Sequence, residues 1–160
     1  MRIRPALPND AGRLSDLAFA SKANWGYDRE FMERCRPELT FEPGQLAGLR
    51  AHLLEDEGEI LGFFAVRGTP PAGELADLFV TPPAMGRGIG TALLEAAREL
   101  AANTGFHTLH IHSDPFAEGF YLRNGAIRIG ETPSGSIPGR LLPLLRLDLP
   151  GKKQCDKSCP

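Results

Sequence analysis

Residues 80–94 read Val80-Thr81-Pro82-Pro83-Ala84-Met85-Gly86-Arg87-Gly88-Ile89-Gly90-Thr91-Ala92-Leu93-Leu94. This stretch predicts a strand, a glycine-rich turn and a helix, because apolar residues recur at helical spacing from about residue 88 to residue 102. The amides of a first helical turn lack partners within the helix, and the helix dipole favours an anion there. Glycines at 86, 88 and 90 let the main chain approach phosphate oxygens without a Cβ atom in the way. The stretch therefore predicts a phosphate-binding loop, with Arg87 as a charged donor at its rim.

Two well-known nucleotide-binding loops do not match this stretch. A dinucleotide fingerprint fails because the third glycine position is Thr91 when counted from Gly86 and Leu93 when counted from Gly88. The NTPase loop fails because no Gly-Lys-Ser/Thr follows. A glycine turn that only lets a strand pack on a helix remains a structural alternative.

The rest of the chain alternates short strands with a few helices, which predicts a mixed α/β or α+β fold. Strands are predicted at 2–6, 50–54, 60–67, 74–81, 108–112, 126–130 and 141–149. One predicted helix begins at Asn9 or Asp10 as its cap, a second runs from Asp28 to Cys35, and a last one runs over 114–124. A polar loop over 132–140 joins the last two strands.

The composition is that of one globular domain. The 160 residues are 42% hydrophobic and 24% charged, and 18 basic side chains against 20 acidic ones give a net charge of −2. No broad basic field indicates a nucleic-acid or anionic-membrane partner. No apolar run reaches the roughly 18 to 20 residues of a membrane span, and the first residues do not form a signal-peptide core. We expect a cytoplasmic protein with a single domain over 1–150 and a disordered tail over 151–160.

The three cysteines are Cys35, Cys155 and Cys159, an odd set without the spacing of a disulfide framework. This usage is typical of a reducing compartment. Cys155 and Cys159 have the spacing to chelate a metal or to pair under oxidation, but a solvent-exposed tail is the favoured interpretation.

Two motifs resemble the GNAT superfamily of N-acetyltransferases. The family's pyrophosphate loop reads Gln/Arg-x-x-Gly-x-Gly/Ala, and residues 85–90 are similar to it, with Met85 at the position of the Gln or Arg. Its second signature is a Tyr followed four residues later by Gly, after a helix that begins with Asn or Asp; residues 114–125 match this as Asp114-Pro115-Phe116-Ala117-Glu118-Gly119-Phe120-Tyr121-Leu122-Arg123-Asn124-Gly125. The resemblance covers roughly residues 60–149. It implies a mixed, mostly antiparallel sheet of about six to seven strands, flanked by about four helices and splayed at its central strands.

The resemblance also implies an activity: acetyl transfer from acetyl-coenzyme A to a primary amine, by direct attack in a ternary complex and without a metal. The acceptor would be a small-molecule or peptide amine, and a homodimer is a possible assembly. The coenzyme would contact Leu78, Phe79, Val80, Met85, Gly86, Arg87, Gly88, Ile89, Gly90, Thr91 and Asp114. Main-chain amides of 78–80 would stabilise the negative charge that develops on the acetyl oxygen. A coenzyme-A sensor without turnover, or a plain interaction domain, is the alternative.

Tyr121 and Glu74 are the candidate catalytic residues that the resemblance implies. Tyr121 would protonate the departing thiolate, since a tyrosine hydroxyl has an ordinary pKa near 10 and is protonated at neutral pH. Glu74 matches the position of the base in the histone-acetylating branch, although an exposed carboxylate at a strand start is an equal alternative. Strand alternation puts Asp77 on the opposite face from Glu74.

Trp25, Tyr27, His112 and Arg140 are the candidate acceptor contacts. The two aromatic residues would line the acceptor site or only plug the end of the sheet. Arg140 would bind a carboxylate or phosphate of the acceptor, although an exposed loop arginine is commoner. His112 shares a strand face with His110, so the two histidines could hold a metal ion. The only nearby third ligand would be Asp114, so histidines that pack beside the helix of the glycine-rich loop are the favoured interpretation. A proton relay through His112 is the remaining hypothesis.

Overall fold

The computed structural model describes residues 1–150, which form one sheet with helices on both of its faces. The strands are β1 (Arg2–Pro5), β2 (His52–Asp56), β3 (Glu59–Thr69), β4 (Ala72–Val80), β5 (Thr108–His112), β6 (Ile127–Pro133) and β7 (Leu141–Asp148). The helices are α1 (Ala11–Ala23), α2 (Arg29–Cys35), α3 (Ile89–Thr104) and α4 (Glu118–Arg123). Short 3-10 turns occupy Pro8–Asp10, Arg36–Leu39, Pro43–Gln45 and Pro82–Ala84. Among the helices of this part of the chain, none is both long and apolar enough to cross a lipid bilayer.

The sheet has the strand order β1-β2-β3-β4-β5-β7-β6. Every neighbouring pair is antiparallel except β4 and β5, which are parallel. Their pairing covers only Ala72–Glu74 against Thr108–His110, so the two strands separate beyond it. The predicted fold class and the splay at the central strands are confirmed. The tail over 151–160, including Cys155 and Cys159, lies outside the described residues.

Helix α3 covers one face of the sheet. Its buried side chains Leu93, Leu94 and Ala97 belong to the same apolar cluster as Phe64 and Leu109 of the sheet. Each fully buried leucine contributes about 2 kcal/mol to stability. The helix begins after Gly88 and ends at Gly105, both left-handed with φ of 81° and 107°. The periodicity of the sequence therefore identified this helix correctly.

Helices α1 and α2 cover the opposite face. Leu14 and Ala18 of α1 and Met32 of α2 are buried in a second cluster with Phe63 and Ala65 of β3. Asp28 begins α2 as predicted, because its carboxylate accepts a hydrogen bond from the Phe31 amide at 2.8 Å. From Phe63 to Val66, successive side chains of β3 alternate between the two clusters, so the sheet divides the core.

Several predicted boundaries differ from the structure, and two of them concern candidate site residues. The helix predicted over 114–124 is only α4, because the Asp114 carboxylate accepts the amide of Phe116 and holds a turn before the helix. Strand β4 begins at Ala72, two residues earlier than predicted, so Glu74 lies within the strand and pairs with Arg67. Gly125 ends α4 in a left-handed conformation, with φ of 95°, as predicted.

Asp10 precedes α1, but its side chain does not cap that helix. The carboxylate instead accepts hydrogen bonds from Arg4 at 2.9 Å, from Arg13 at 2.9 Å and from the Leu7 amide at 2.7 Å. The bond from Arg4 is the main cause that lowers the pKa of Asp10 to about 2, against the opposing effect of burial. Asp10 therefore anchors α1 to β1.

We expect Asp10→Asn to lower the free energy of unfolding by about 2 kcal/mol at pH 7, because a lowered pKa stabilises the folded state whenever the carboxylate is ionised. This contribution is complete above the unfolded pKa near 4 and is lost as the pH falls through the folded value of about 2. Urea unfolding of both proteins between pH 2 and pH 7 would measure it. A difference that stayed constant over this range would contradict the ionic origin.

Candidate active site

A cavity opens where β4 and β5 separate. It has a volume of about 1270 Å³, and residues 74–80 of β4 line it throughout. Ligand cavities commonly hold about 300 to 1,000 Å³, so this one has room for two substrates. The main-chain groups of β4 beyond Glu74 have no partner on β5, because pairing of the two strands stops there. This edge of β4 can therefore bind an extended ligand.

One end of the cavity is formed by the glycine-rich loop. Gly86 and Gly88 have φ values of 78° and 81°, which are left-handed conformations that favour glycine. The amides of the first turn of α3 have no partner within the helix, as in every helix, and no side chain caps them. A Cβ atom at Gly86 or Gly88 would meet no protein atom within 4 Å, so both glycines face open space. These features fit a diphosphate group.

Two basic side chains that the sequence analysis did not single out, Lys22 and Arg123, also line the cavity. Lys22 donates to the Asp114 carboxylate at 3.2 Å, and Asn24, two residues later, donates to the Met85 sulfur of the loop at 3.3 Å. Of the predicted loop contacts, Arg87 is not part of the cavity wall, and the Ile89 side chain is only 3% exposed and packs in the core. Ile89 can therefore contact an anion only through its main-chain amide. Arg87 can contact one through its amide, or through a side chain that lies outside the cavity wall.

Strand β4 contains a bulge beside the cavity. Val66 pairs with Leu75 while Ala65 pairs with Asp77, so Ala76 is an extra residue in β4. The extra residue reverses the alternation of side chains that follows it. Asp77 consequently lies on the same face as Glu74, which corrects the prediction from strand parity.

Asp77 has the properties of a proton acceptor at neutral pH. Burial is the main cause that raises its pKa to about 7; the charge of Arg67 opposes the rise, and the charges of Glu74 and Glu38 add to it. Glu74 differs, because Arg67 donates to its Oε2 atom from Nη2 at 2.6 Å and from Nε at 3.0 Å. The carboxylate of Asp77 has no such partner among residues 1–150, and it lines the cavity.

Tyr121 lies in the opposite wall. Tyr121 belongs to α4 and lines the cavity, although its side chain is only 7% exposed. Its ring packs edge-on against the ring of Phe120. Burial first, and then the charges of Asp77 and Asp114, raise the pKa of the hydroxyl well above its ordinary value. The hydroxyl is therefore protonated at neutral pH, which is the state that a proton donor requires.

Asp114 is held by residues from three other segments. It accepts from the Tyr27 hydroxyl at 2.8 Å and from Lys22 at 3.2 Å, and Arg140 lies 3.8 Å away. Burial and the Asp114 carboxylate raise the pKa of Tyr27 to about 12. Arg140 in turn donates to the Tyr27 hydroxyl at 2.7 Å. Tyr27 and Arg140 therefore position Asp114, and neither is among the residues that line the cavity. Their predicted contact with the acceptor stays a prediction.

The other two predicted acceptor contacts do line the cavity. Trp25 is 41% exposed and stacks on Phe116 with ring centroids 5.5 Å apart. His112, at the end of β5, lies in the same wall. Across residues 1–150, no group of three or more His, Cys, Asp or Glu side chains is arranged to hold a metal ion.

The comparisons with known proteins agree with this geometry. The sequence model of the acetyltransferase (GNAT) family matches residues 17–126. A GCN5-related N-acetyltransferase from Rhodopseudomonas palustris has a similar structure, with a TM-score of 0.76 and 24% identity over 92% of this chain and 95% of that one. The PaiA N-acetyltransferase of Thermoplasma acidophilum, solved with coenzyme A, gives a TM-score of 0.73 and 18% identity over 92% and 98% of the two chains. No curated protein sequence matches this chain.

An aminoglycoside 6'-N-acetyltransferase, also solved with coenzyme A, gives a TM-score of 0.66 at 17% identity, over 92% of this chain and 97% of that one. At these identities the solved structures establish a shared fold. The family model spans more than two-thirds of the sequence and includes both the glycine-rich loop and Tyr121. The chain therefore belongs to the acetyltransferase (GNAT) family.

Proposed function

We propose that the protein transfers the acetyl group of acetyl-coenzyme A to a primary amine by direct attack, with both substrates bound in the cavity. One observation carries this proposal: the glycine-rich loop and the Asp77 carboxylate open into the same cavity along the unpaired edge of β4. Residues 1–150 would form the acetyltransferase domain. The similar structures that were solved with coenzyme A support the assignment of its binding site.

The residues that would hold the coenzyme follow the edge of β4 into the start of α3. Main-chain groups of Leu78, Phe79 and Val80 are free of β5 and available to an extended chain. Amides from Gly86 to Thr91 would bind the diphosphate, and Arg123, which also lines the cavity, would add positive charge. Bound there, acetyl-coenzyme A supplies a thioester, which is an acyl donor activated toward amines.

The side chains in the cavity can move the protons that the reaction requires. The amine nitrogen bonds to the acetyl carbon as the carbon–sulfur bond breaks, so one proton leaves the nitrogen and one is needed at the sulfur. Asp77 would accept the first, because its raised pKa matches neutral pH. Tyr121 would donate the second from its protonated hydroxyl. Glu74, paired with Arg67, stays as the second candidate for the base.

Thiol release tests the proposed activity. The protein with acetyl-coenzyme A should release free thiol only when a primary amine is added, and mass spectrometry should find the acetylated amine. Calorimetry with coenzyme A should show binding. Binding without turnover on any amine would indicate a coenzyme-A sensor, and no binding at all would indicate an interaction domain.

We expect kcat/KM to rise with pH through about 7, because the raised pKa of Asp77 keeps its carboxylate protonated below that value. The groups that face this carboxylate are Arg67, Glu74, Glu38 and Tyr121. Asp77→Asn should remove this rise and lower turnover about tenfold at pH 8. The separate rise of kcat/KM that comes from deprotonation of the amine substrate should remain. A pH profile from 5 to 10 on both proteins would measure the change.

Glu74→Gln is the matched control for that profile. The Glu74→Gln protein should still show the rise in kcat/KM, with its midpoint shifted below pH 7. The shift is expected because removing the negative charge of Glu74 lowers the pKa of Asp77. The Asp77→Asn protein should also be no less stable at pH 8, since it no longer carries a desolvated charge. A rise that survives Asp77→Asn and disappears in Glu74→Gln would make Glu74 the base.

A further inference from the structure

Helix α1 contains two serines whose hydroxyls have different surroundings. Ser15 donates to the Ala11 carbonyl at 2.8 Å and accepts from the Phe41 amide at 2.9 Å. A bond to the carbonyl four residues earlier is a common arrangement for a serine inside a helix. Ser21 makes no such bond, and its hydroxyl has no hydrogen-bond partner among residues 1–150, although only 5% of this residue is exposed.

The hydroxyl of Ser21 opens into the cavity, since Ser21 is one of the residues that line it. In the described part of the chain, Nε of Arg98 is the only fully enclosed side-chain nitrogen or oxygen that lacks a partner, so the Ser21 oxygen is not sealed inside protein. A buried hydroxyl without a partner is unfavourable, and a ligand in the cavity can supply the missing bond. Ser21 is therefore placed to form a hydrogen bond with a ligand.

The residues after Ser21 show where it lies along the cavity. Lys22 donates to Asp114, which follows β5, and Asn24 donates to the sulfur of Met85, in the loop after β4. The end of α1 thus contacts both sides of the gap between the two strands. This is the gap that the proposed reaction would occupy.

Ser21 and Asp77 lie on the same face of the sheet. Asp77 pairs with Ala65, and directly paired residues of antiparallel strands point to one face. Ala65 is buried in the cluster that α1 covers, whereas Tyr121 belongs to the cluster on the opposite face. In the proposed reaction the amine would therefore approach the acetyl carbon from the face of Ser21 and Asp77, and the sulfur would leave towards Tyr121.

Resting on the proposed acetyl transfer, we propose that Ser21 binds and orients the attacking amine. A neutral primary amine has one lone pair and two N–H groups. As the carbon–nitrogen bond forms and the carbon–sulfur bond breaks, one proton passes to Asp77 and Tyr121 supplies one to the sulfur. The other N–H donates to the Ser21 oxygen, and the two contacts together direct the lone pair at the acetyl carbon. A secondary amine has one N–H fewer, so Ser21 favours primary amines.

Butylamine and N-methylbutylamine test this preference, because they differ by one N–H and their nitrogens are similarly basic. The same comparison applies to any better acceptor found by thiol release and its N-methyl derivative. We expect the wild-type protein to have the higher kcat/KM with butylamine. Ser21→Ala should lower this value by about three- to tenfold, which is the size of one neutral hydrogen bond, and bring the ratio of the two amines closer to unity. The affinity for acetyl-coenzyme A, measured by calorimetry, should not change.

Ser15→Ala is the matched control. Ser15 lies on the same helix outside the cavity wall, and its hydroxyl bonds only to the protein. Its loss should lower the midpoint of urea unfolding and leave kcat/KM for both amines unchanged. Ser21→Ala should show the reverse pattern, because no bond within the protein is lost and alanine favours the helix. Ser21→Cys keeps the bulk of the side chain with a weakly hydrogen-bonding thiol, so its kinetics should resemble those of Ser21→Ala.

The failure of this inference is distinct from the failure of the proposed function. An unchanged ratio of the two amines in Ser21→Ala would reject the contact and leave acetyl transfer intact, and weaker acetyl-coenzyme A binding with that unchanged ratio would assign Ser21 to the coenzyme instead. Wild-type kinetics in Ser21→Cys would show that the side chain only fills space, which also overturns the inference. Absence of thiol release by the wild-type protein with every amine would reject acetyl transfer itself, and this contact with it.

Discussion

Replacing Gly88 with glutamate is expected to abolish coenzyme A binding, with an affinity at least about a thousandfold lower. Gly88 precedes the first turn of α3, and a Cβ atom there would enter open space at the loop. The glutamate would therefore place a negative charge where the diphosphate binds. Two like charges about 4 Å apart at a protein surface repel by about 4 kcal/mol, which corresponds to roughly a thousandfold. Calorimetry with coenzyme A measures the loss directly.

Gly88→Asn separates the charge from the strain in the backbone. The left-handed φ of 81° costs most side chains about 1 to 2 kcal/mol, but asparagine tolerates it. The asparagine protein should therefore fold and bind coenzyme A with only a modest loss. Far-ultraviolet circular dichroism would show that the glutamate protein retains its helices. Wild-type affinity in a folded Gly88→Glu protein would refute the phosphate-binding loop.

Tyr121→Phe is expected to lower turnover by roughly ten- to a thousandfold, the range typical of a lost general acid. The ring is buried among apolar residues, so phenylalanine preserves the packing while it removes the hydroxyl. The affinity for acetyl-coenzyme A should change little, because the loop that would bind the diphosphate is untouched. Steady-state kinetics together with calorimetry would measure both effects.

The assay must first be shown to report the chemical step. A burst of thiol release in the wild-type protein would show that a step after chemistry limits turnover, and single-turnover rates would then be compared instead. Phe120→Leu is a control in the same helix, since it alters the ring beside Tyr121 and leaves the hydroxyl in place. Unchanged turnover in the Tyr121→Phe protein would exclude this hydroxyl as the proton donor.

The loop and the helix that follows it were predictable from sequence for local reasons. Three alternating glycines before an amphipathic run specify a turn and a helix over about fifteen neighbouring residues, and such signals do not depend on distant parts of the chain. The structure confirms the helix and places Gly86 and Gly88 in left-handed conformations. The parallel pair that splays was predictable only through the resemblance to a family, since periodicity does not reveal which strands become neighbours.

The bulge at Ala76 was not predictable from the sequence. The expectation that side chains alternate between the two faces assumes regular pairing along the whole strand. One extra residue reverses the face to which every later side chain is assigned. The pairing of Ala65 with Asp77 depends on β3, which lies earlier in the chain. The parity argument therefore assigned Asp77 to the wrong face, and the pairing with β3 brings it to the same face as Glu74.

The sequence by itself determined the elements whose causes are local: the glycine-rich loop, the helix that it begins, and the motif that contains Tyr121. The tertiary structure alone decided which charges meet. Glu38, Asp77 and Lys22 come from three segments far apart in the chain, and their convergence on one cavity depends on how α1, α2 and β4 pack. A carboxylate's pKa is set by burial and by neighbouring charges, and these exist only once the chain has folded.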